Sequence, residues 1–408
     1  MTPYPAGARS AAFDGRAPTI GVEEEYFLVD PHTRSVVPAG PQVVARVAEE
    51  MGDQVTKEFD LCQVEGRTSP CRTAEELYRD LRRVRGALAV AAREEGWGLC
   101  ASGTAVLQDA GPARVADHPR YRAGRDQYRG MMDDFSISAL HVHVHLPERE
   151  LAVLTVNHLR PWLPLLVALS ANSPFHRGRD TGYASWRSVV RSRFPCLGPP
   201  PYAASLEEYE RLAIVITDTE AMLEPGMPFW DLRPNPRLPT LEIRAMDVMQ
   251  DLEDTVAVAV LLRALVVTCA DRARHGDPGP RWEGEVLRAA CWRAARDGWA
   301  GGGFDALTGR TAPVEDLAAG LVALVRPVLE EFGDLDRVTA LFDRTARRGD
   351  GATRQRAWAG GGGGPVAAVN RLLLATVGNT GGGGNGGGGG NGGGGGNGGG
   401  GGSGSGSG

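Results

Sequence analysis

The chain opens with a segment whose side chains alternate between two faces, which predicts a β-strand. Residues 21–30 place Glu23 and Glu25 on one face and a mostly apolar set on the other, namely Val22, Glu24, Tyr26 and Leu28. Two carboxylates about 6.6 Å apart on one strand repel each other unless a cation or a ring of donors lies between them. A hard divalent ion such as Mg²⁺ would supply that cation, so the pattern indicates a metal site.

Two later segments repeat this arrangement. Residues 141–146 place three imidazoles on one face, those of His141, His143 and His145. Residues 240–246 place Glu242 and Arg244 opposite an apolar face. Any sheet with one solvated face also alternates, but such faces usually carry Thr, Ser and Lys. Because Glu, His and Arg recur here, we predict a shared polar cavity.

A fourth pair of acidic residues is less regular. Glu58 and Glu65 flank the run Leu61-Cys62-Gln63-Val64, and their separation is odd. The two carboxylates therefore share a face only if a bend, a bulge or a second strand lies between them.

Apolar residues also recur at helical spacing. Capping boxes at Thr73–Glu76 and Ser205–Glu208 predict helices that run to about Glu95 and toward Met222. An apolar helix over 148–171, kinked near its prolines, should lie against the histidine-bearing strand. Further helices are predicted over 251–274, which should be deeply buried, and near 282–296, 314–331 and 366–376. Half-polar strands backed by helices favour an α+β fold with an antiparallel sheet.

Composition sets the limits of the folded part. From Gly381 onward the 408-residue chain contains only Gly, Asn and Ser, which cannot form a core. We therefore predict a flexible N-terminus over 1–18, one catalytic domain over 19–377 and a disordered Gly-rich tail over 378–408.

Charge and cysteine usage exclude several classes. The net charge of −6 argues against a nucleic-acid binder, and Lys57 is the only lysine, so no Gly-Lys-Ser/Thr phosphate loop exists. Six cysteines without CxxC spacing indicate reduced thiols. Without a signal peptide or an apolar run of about 20 residues, we expect a cytoplasmic protein that binds small molecules and no membrane. A homodimer is left open.

Two arginine-rich loops suit anion recognition. They are Ser173–Arg187 and Trp230–Pro236, and the second leads directly into the strand of Glu242. Guanidinium groups bind carboxylate and phosphate through paired hydrogen bonds. For the first loop, an ordinary surface loop is an equally good interpretation.

Taken together, these segments resemble the bacterial glutamate–cysteine ligase type 2 family of ATP-dependent carboxylate-amine ligases. The matching pieces occur in order across nearly the whole folded part. They are Gly21–Tyr26, Val64-Glu65 with Thr68, Gly103-Thr104, Arg120-Tyr121, His141–Val144, Ser173–Arg187, Trp230–Pro236 and Glu242–Asp247.

The resemblance implies a fold similar to the catalytic part of glutamine synthetase, whose curved antiparallel sheet holds Mg²⁺ and ATP. It implies metal ligands at Glu23, Glu25, Glu58, Glu65, His143 and Glu242. It implies catalytic contacts from Arg187, Arg233 and Arg244, and substrate or ATP contacts from His141, Arg179 and Tyr183. The implied reaction is phosphorylation of the glutamate side chain by ATP, followed by attack of the amine of cysteine or a related compound.

Other interpretations remain open at this point. The His-x-His strand is also a zinc pattern, so a zinc-dependent hydrolase is the main alternative, although such a site usually has fewer carboxylates. A binding protein that kept the cavity is a third. Ala139 and His145 depart from the family, whose members commonly carry Gly there.

Overall fold

The computed structural model of the protein describes residues 16–109, 111–224 and 228–378. The predictions for residues 1–15 and for the tail after Gly378 therefore lie outside the described residues.

A seven-stranded antiparallel sheet is at the centre of the fold. Its strands follow the order β2-β3-β1-β5-β9-β8, and β4 pairs with the end of β1. Their bounds are β1 Ile20–Val29, β2 Val55–Lys57, β3 Gln63–Arg67, β4 Gly98–Cys100, β5 Ala139–His145, β8 Leu232–Pro234 and β9 Thr240–Asp247. The three predicted alternating strands are β1, β5 and β9, and they lie side by side. The predicted α+β class with an antiparallel sheet is confirmed.

Two short hairpins lie outside the sheet. One pairs β6 Phe175–His176 with β7 Arg179–Asp180, and the other pairs β10 Gly302–Phe304 with β11 Thr311–Pro313. The first hairpin occupies the arginine-rich loop after residue 173.

Thirteen α-helices complete the described part of the chain. They are α1 Gly40–Met51, α2 Ala74–Glu94, α3 Pro119–Tyr128, α4 Arg149–Leu159, α5 Leu163–Ser170, α6 Trp186–Ser192, α7 Leu206–Asp218, α8 Leu252–Arg274, α9 Gly284–Asp297, α10 Val314–Phe332, α11 Leu335–Arg348, α12 Gly351–Gly360 and α13 Gly364–Gly378. Each predicted helix is present. The capping box at Thr73 forms as predicted, with its hydroxyl accepting from Glu76 N at 3.1 Å.

The predicted helix over 148–171 is interrupted as its prolines require. It ends as α4 at Leu159, passes through the 3₁₀ turn Arg160–Trp162 and resumes as α5. Its predicted packing partner was wrong: α4 contacts mainly α8 and β8, and α5 contacts mainly α9 and β9, whereas α8 covers β5. The break thus separates a helix that packs near β8 from one that packs on β9.

The segment Arg149–Ser170 is, by length and composition alone, apolar enough to cross a membrane. However, 94% of its most apolar 18 residues are buried inside the fold. It serves as part of the largest apolar core, which fills the space between one sheet face and helices α2, α4, α5, α8, α10 and α11.

One carboxylate on this apolar face is fully buried. Glu24 points away from Glu23 and Glu25 and forms a salt bridge with Arg85 of α2, with both side chains 0–1% exposed. Arg85 Nε also donates to Tyr26 Oη at 2.9 Å, and its Nη1 donates to the carbonyl of Gln250 at 3.0 Å. Thr255 Oγ1 donates to Glu24 at 2.8 Å. This cluster therefore ties β1 to α2 and to the connection between β9 and α8.

Removing Arg85 should lower the free energy of unfolding, because the buried Glu24 would lose its partner. We expect Arg85→Met to lower the free energy of unfolding by about 3–5 kcal/mol, because an unpaired charge would remain in the core. Replacing both partners, with Glu24→Gln and Arg85→Met, should recover a large part of that loss. Urea unfolding measures both. Arg79→Met on the same helix is the control, since that side chain is 68% exposed, and a loss no larger than the control's would contradict this account.

Candidate active site

Strand register brings the predicted polar residues together on the other face of the sheet. Glu25 of β1 lies opposite Glu65 of β3, and Glu23 lies opposite His141 of β5. In turn, His143 lies opposite Glu242 of β9. Residues directly opposite each other on antiparallel strands have side chains within contact distance. Four distant strands therefore bring their polar side chains together because their alternation is in phase.

Glu58 also lies near this group, because a second strand separates it from Glu65. It follows β2, which pairs antiparallel with β3 so that Thr56 lies opposite Glu65. The odd spacing of Glu58 and Glu65 is thus accommodated by a connection between two strands. Both carboxylates line the cavity described next.

A cavity of about 490 Å³ lies over this face. Four carboxylates line it, those of Glu23, Glu25, Glu58 and Glu65. Eight cationic side chains also line it: Lys57, Arg67, Arg120, Arg187, Arg191, Arg233, Arg237 and Arg244. The predicted shared polar cavity is therefore present, and its charges suit a ligand that carries several negative groups together with metal ions.

Two groups of side chains in the described residues could each hold a metal ion. One combines Glu23, His141 and Glu242, and the other combines Glu25, Glu65 and His141. Within each group the ligand atoms lie within 4.8 Å of one another. Carboxylate oxygens outnumber the single shared imidazole, which is the donor composition preferred by hard ions such as Mg²⁺.

The clustered carboxylates raise the pKa values of one another. Burial and then the charge of Glu58 raise the pKa of Glu25 to about 8. The pKa of Glu65 lies well above its usual range, because of burial and then the charges of Glu23, Glu58 and Glu25. Burial likewise raises the pKa of Glu58. A divalent cation among these groups would remove the repulsion, so their donor chemistry fits Mg²⁺.

Glu23 is in a different environment. Burial alone would raise its pKa, but hydrogen bonds and charges from His141 and His143 outweigh burial and lower it. His141 Nδ1 lies 3.1 Å from Glu23, and burial, together with Arg244, lowers the pKa of His141 to about 3. A neutral imidazole next to an ionised carboxylate is the form that binds a metal ion.

Arg233 and Arg244 both contact Glu242. Arg233 binds it with two hydrogen bonds of 2.8 and 3.2 Å, Arg244 forms a salt bridge with it, and Asn235 donates to it at 2.8 Å. Burial would raise the pKa of Glu242, but the two guanidinium groups lower it well below its usual range. This carboxylate is thus held ionised and oriented at the edge of the metal group.

Arg187 has a supporting position. Its guanidinium donates to the carbonyls of Ala245 and Arg244, each at 3.1 Å, and lies 3.8 Å from Asp247. The pairing of β5 with β9 is irregular here, since the register shifts between Leu140 and Val142. A bulge frees backbone carbonyls of this kind, and Arg187 satisfies them. Asp247 in turn accepts hydrogen bonds from Ser173 Oγ and Ser185 Oγ at 2.6 and 2.8 Å.

Not every predicted site residue reaches the cavity. Arg179 is exposed in the β6–β7 hairpin, and the hydroxyl of Tyr183 accepts a hydrogen bond from Trp292 at 3.1 Å. Neither lines the cavity, so the structure does not support their predicted contact with ATP or substrate there. Both belong to the loop Ser173–Arg187, whose buried residues bind β9. The composition of this loop does not indicate which of its residues face the sheet and which face away from it.

The two predicted histidines have different surroundings. His141, predicted to contact substrate or ATP, lies in both candidate metal groups. His143, predicted to be a metal ligand, lies in neither; its Nδ1 is 3.1 Å from Thr240 Oγ1 and its Nε2 is 3.5 Å from Glu23. His145 is half-buried at the end of β5. Ala139, one of the departures from the family, lines the cavity, and its backbone N–H donates to Glu25 at 2.7 Å.

Sequence reasoning missed one wall of the cavity. It is formed mainly by aromatic side chains, among them Phe59, Tyr121, Phe135 and Phe194. These residues lie on separate elements without a shared period, so no local pattern reveals them. The sequence offers two signals: Phe59 directly follows Glu58, and Tyr121 belongs to the matching piece Arg120-Tyr121.

Solved structures with a similar fold were found. A bifunctional glutathione synthetase from Pasteurella multocida matches with a TM-score of 0.65 and 14% identity, over 91% of this chain and 53% of that one. A glutamate–cysteine ligase from Francisella tularensis, solved in complex with AMP, matches with a TM-score of 0.60 and 11% identity, over 90% of this chain and 89% of that one. The architecture is therefore that of these ligases.

Sequence comparison gives the family. The profile of glutamate–cysteine ligase family 2 matches residues 19–359. A relative from Saccharopolyspora erythraea, named provisionally as glutamate–cysteine ligase 2-1, is 43% identical over 83% of this chain and 89% of its own length. Another from Mycolicibacterium vanbaalenii, provisionally ligase 2-2, is 41% identical over 84% and 93%. The chain belongs to glutamate–cysteine ligase family 2.

A divalent cation should stabilise the protein through the carboxylate cluster. We expect Mg²⁺ to raise the Tm of the unmodified protein, because the ion binds the folded cluster and not the unfolded chain. Glu65→Gln should melt in EDTA at or above the unmodified protein and lose most of the Mg²⁺-induced rise. Thermal melting with and without Mg²⁺ measures both effects.

The control is Glu207→Gln, because Glu207 is exposed on α7 and does not line the cavity. This variant should keep the full Mg²⁺ response. A Glu65→Gln protein that melts lower in EDTA and still shows the full rise would mean that Glu65 is structural and holds no ion.

Proposed function

We propose that the protein is an ATP- and Mg²⁺-dependent carboxylate-amine ligase. It joins the side-chain carboxylate of glutamate to the amine of cysteine or a related amine and releases ADP and phosphate. The observation that carries this proposal is the cavity in which two carboxylate-rich metal groups share His141 beside Arg244 and Arg233. Membership of glutamate–cysteine ligase family 2 supports the reaction class.

The charges of the cavity match the demands of the first step. A glutamate carboxylate and the terminal phosphate of ATP are both anionic, and at contact distance they repel each other by several kcal/mol or more when nothing shields them. In this proposal Glu23, Glu25, Glu65, Glu242 and His141 hold the metal ions, with Glu58 and His143 beside them. The bound Mg²⁺ would neutralise phosphate oxygens and polarise the transferred group.

The arginines have two roles in the proposal. Arg244 lines the cavity and is 15% exposed, so its guanidinium can contact the transferred phosphate or the substrate carboxylate. Arg233 orients Glu242, the carboxylate that also binds Arg244. Arg187 fixes the backbone of β9 under Arg244, as its two bonds to carbonyl groups indicate. Arg187 is therefore a positioning residue.

The reaction balances without a nucleophile from the protein. A carboxylate oxygen of glutamate attacks the terminal phosphorus of ATP, the bond to the bridging oxygen breaks, and ADP leaves with an acyl phosphate formed. The amine nitrogen then attacks the acyl carbon, the carbon–oxygen bond to phosphate breaks, and phosphate leaves as the nitrogen loses a proton. The chain supplies binding, orientation and charge.

The zinc hydrolase is not supported. Both candidate metal groups contain more carboxylates than imidazoles, and neither combines His141 with His143. The relatives described above are ligases by name. The predicted cytoplasmic location and the homodimer stay predictions.

Glu23→Gln should nearly abolish turnover. We expect a loss of about 10²-fold or more in kcat, on the scale of removing one electrostatic group from a phosphoryl- or acyl-transfer site. Phosphate release is measured with purified protein, Mg²⁺-ATP, glutamate and a panel of amines that includes cysteine. Glu242→Gln should behave in the same way, and circular dichroism checks that both variants stay folded.

Glu210→Gln is the control, since its side chain is 52% exposed on α7. It should keep full activity. Retained turnover in both Glu23→Gln and Glu242→Gln would refute the metal assignment, and hydrolysis restored by Zn²⁺ without nucleotide would favour the rival function.

A further inference from the structure

One side of the cavity is an aromatic chamber with no part in the reaction described so far. We define the aromatic chamber by six cavity-lining residues, Phe59, Tyr121, Tyr128, Met132, Phe135 and Phe194. They come from the segment after β2, from helix α3, from the 3₁₀ turn after α3 and from the segment after α6.

The rings of the aromatic chamber hold one another in place. Phe135 packs edge-on against Phe194 with ring centroids 4.9 Å apart, and against Phe59 at 5.9 Å. Tyr121 also meets Phe59 edge-on at 5.4 Å, and Tyr128 meets Phe194 at 5.3 Å. Edge-to-face contacts of this kind are favourable and restrict ring orientation. The chamber is therefore a preformed apolar surface, as ligand sites usually are.

The aromatic chamber directly adjoins the carboxylate cluster. Phe59 follows Glu58 in the chain, and its backbone N–H donates to the Glu58 carboxylate at 3.1 Å. Burial raises the pKa of Tyr121 to about 12, and the nearby charges of Glu58 and Glu65 contribute to that rise. A ligand in the chamber thus lies next to the place where the acyl phosphate would form.

This adjacency distinguishes between the possible occupants. In ATP, the base is separated from the terminal phosphate by a ribose and two further phosphates, so a base in the chamber would place that phosphate away from the cluster. The acceptor amine, by contrast, must touch the acyl carbon. A base also needs donors and acceptors, whereas the chamber offers few. The hydroxyl of Tyr128 already donates to the carbonyl of Ala221 at 3.0 Å.

We propose that the aromatic chamber binds the acceptor amine and selects an amine with an apolar, preferably aromatic, body. The inference rests on the proposed ligase function and narrows its substrate class. The amine nitrogen faces the carboxylate cluster, and the apolar body packs on the rings of Phe135 and Phe194. Burying such a body removes apolar surface from water, which a small polar acceptor such as cysteine does to a lesser extent.

The first experiment compares phenethylamine with cysteine as acceptors, with Mg²⁺-ATP and glutamate present. Phosphate release and the mass of the product are measured. We expect kcat/KM for phenethylamine to exceed that for cysteine by at least about tenfold. The reason is that the phenyl ring buries more apolar surface in the chamber than the cysteine side chain does. An equal or higher kcat/KM for cysteine would overturn the proposal.

The second experiment reduces the chamber. Phe135→Leu should raise the KM for phenethylamine by at least about fivefold and leave the KM for ATP and for glutamate within about twofold. Phe194→Leu serves as a second variant in case the first is unstable. Trp292→Leu is the matched control, because this aromatic side chain is 49% exposed and does not line the cavity.

The outcomes separate the two proposals. A raised KM for ATP with an unchanged KM for phenethylamine would assign the chamber to the base and overturn the inference. Phosphate release with small polar amines alone would leave the ligase function standing and remove the chamber's role. If no amine supports phosphate release, the ligase function fails. Calorimetric titration of phenethylamine into unmodified and Phe135→Leu protein then decides the chamber: binding weakened by the substitution supports an aromatic-amine site, and no binding overturns it.

Discussion

The structure depends on one strand that carries carboxylates on both faces. In β1, Glu24 is neutralised by Arg85 within the fold, so its position is fixed by the protein alone. Glu23 and Glu25 face the cavity, where their neighbours include further carboxylates and where burial raises the pKa of Glu25 to about 8. The fold thus pairs the carboxylate on one face with a single internal arginine, whereas the carboxylates on the other face share a cavity with further carboxylates, histidines and arginines. Carboxylates clustered in this way lower the stability of the fold, and a cation bound among them would offset that loss.

The antiparallel register of the sheet brings these carboxylates together with polar residues from other strands. Because β3, β1, β5 and β9 are neighbours, a period of two in each strand places Glu65, Glu25, Glu23, His141 and Glu242 in one continuous group. A slip of one residue in any strand would send its charged side chains into the apolar core. The apolar alternation that packs against α8 therefore also specifies the chemistry on the opposite face, and folding and site formation are selected together.

Much of this could be predicted from the sequence, for a physical reason. Alternation is a local property, so the sequence predicts β1, β5 and β9 and the faces of these strands that carry Glu, His and Arg. Capping residues such as Thr73 likewise predict where helices begin. What the sequence could not give depended on contacts between distant segments. Alternation gives the face on which His141 and His143 lie but not the rotamer or the partner of either side chain, and His143 lies next to Thr240. The loop that contains Arg179 and Tyr183 has the composition of an anion site. In the structure it is attached to β9 through Ser173 and Ser185, whose hydroxyl groups donate to Asp247.

The aromatic wall shows why charge alone does not define the specificity of the cavity. In the proposed ligase, the carboxylates and arginines would serve any carboxylate that ATP activates, since they would act on phosphate and on carboxyl oxygens that all such substrates share. Discrimination must therefore come from groups that contact the variable part of a substrate, and an apolar surface rejects a polar group that it leaves unpaired. Phe59 connects the two functions, because its backbone N–H binds Glu58 while its ring belongs to the wall. In the proposed ligase, a change in the shape of this wall would alter the choice of acceptor without disturbing the carboxylate cluster.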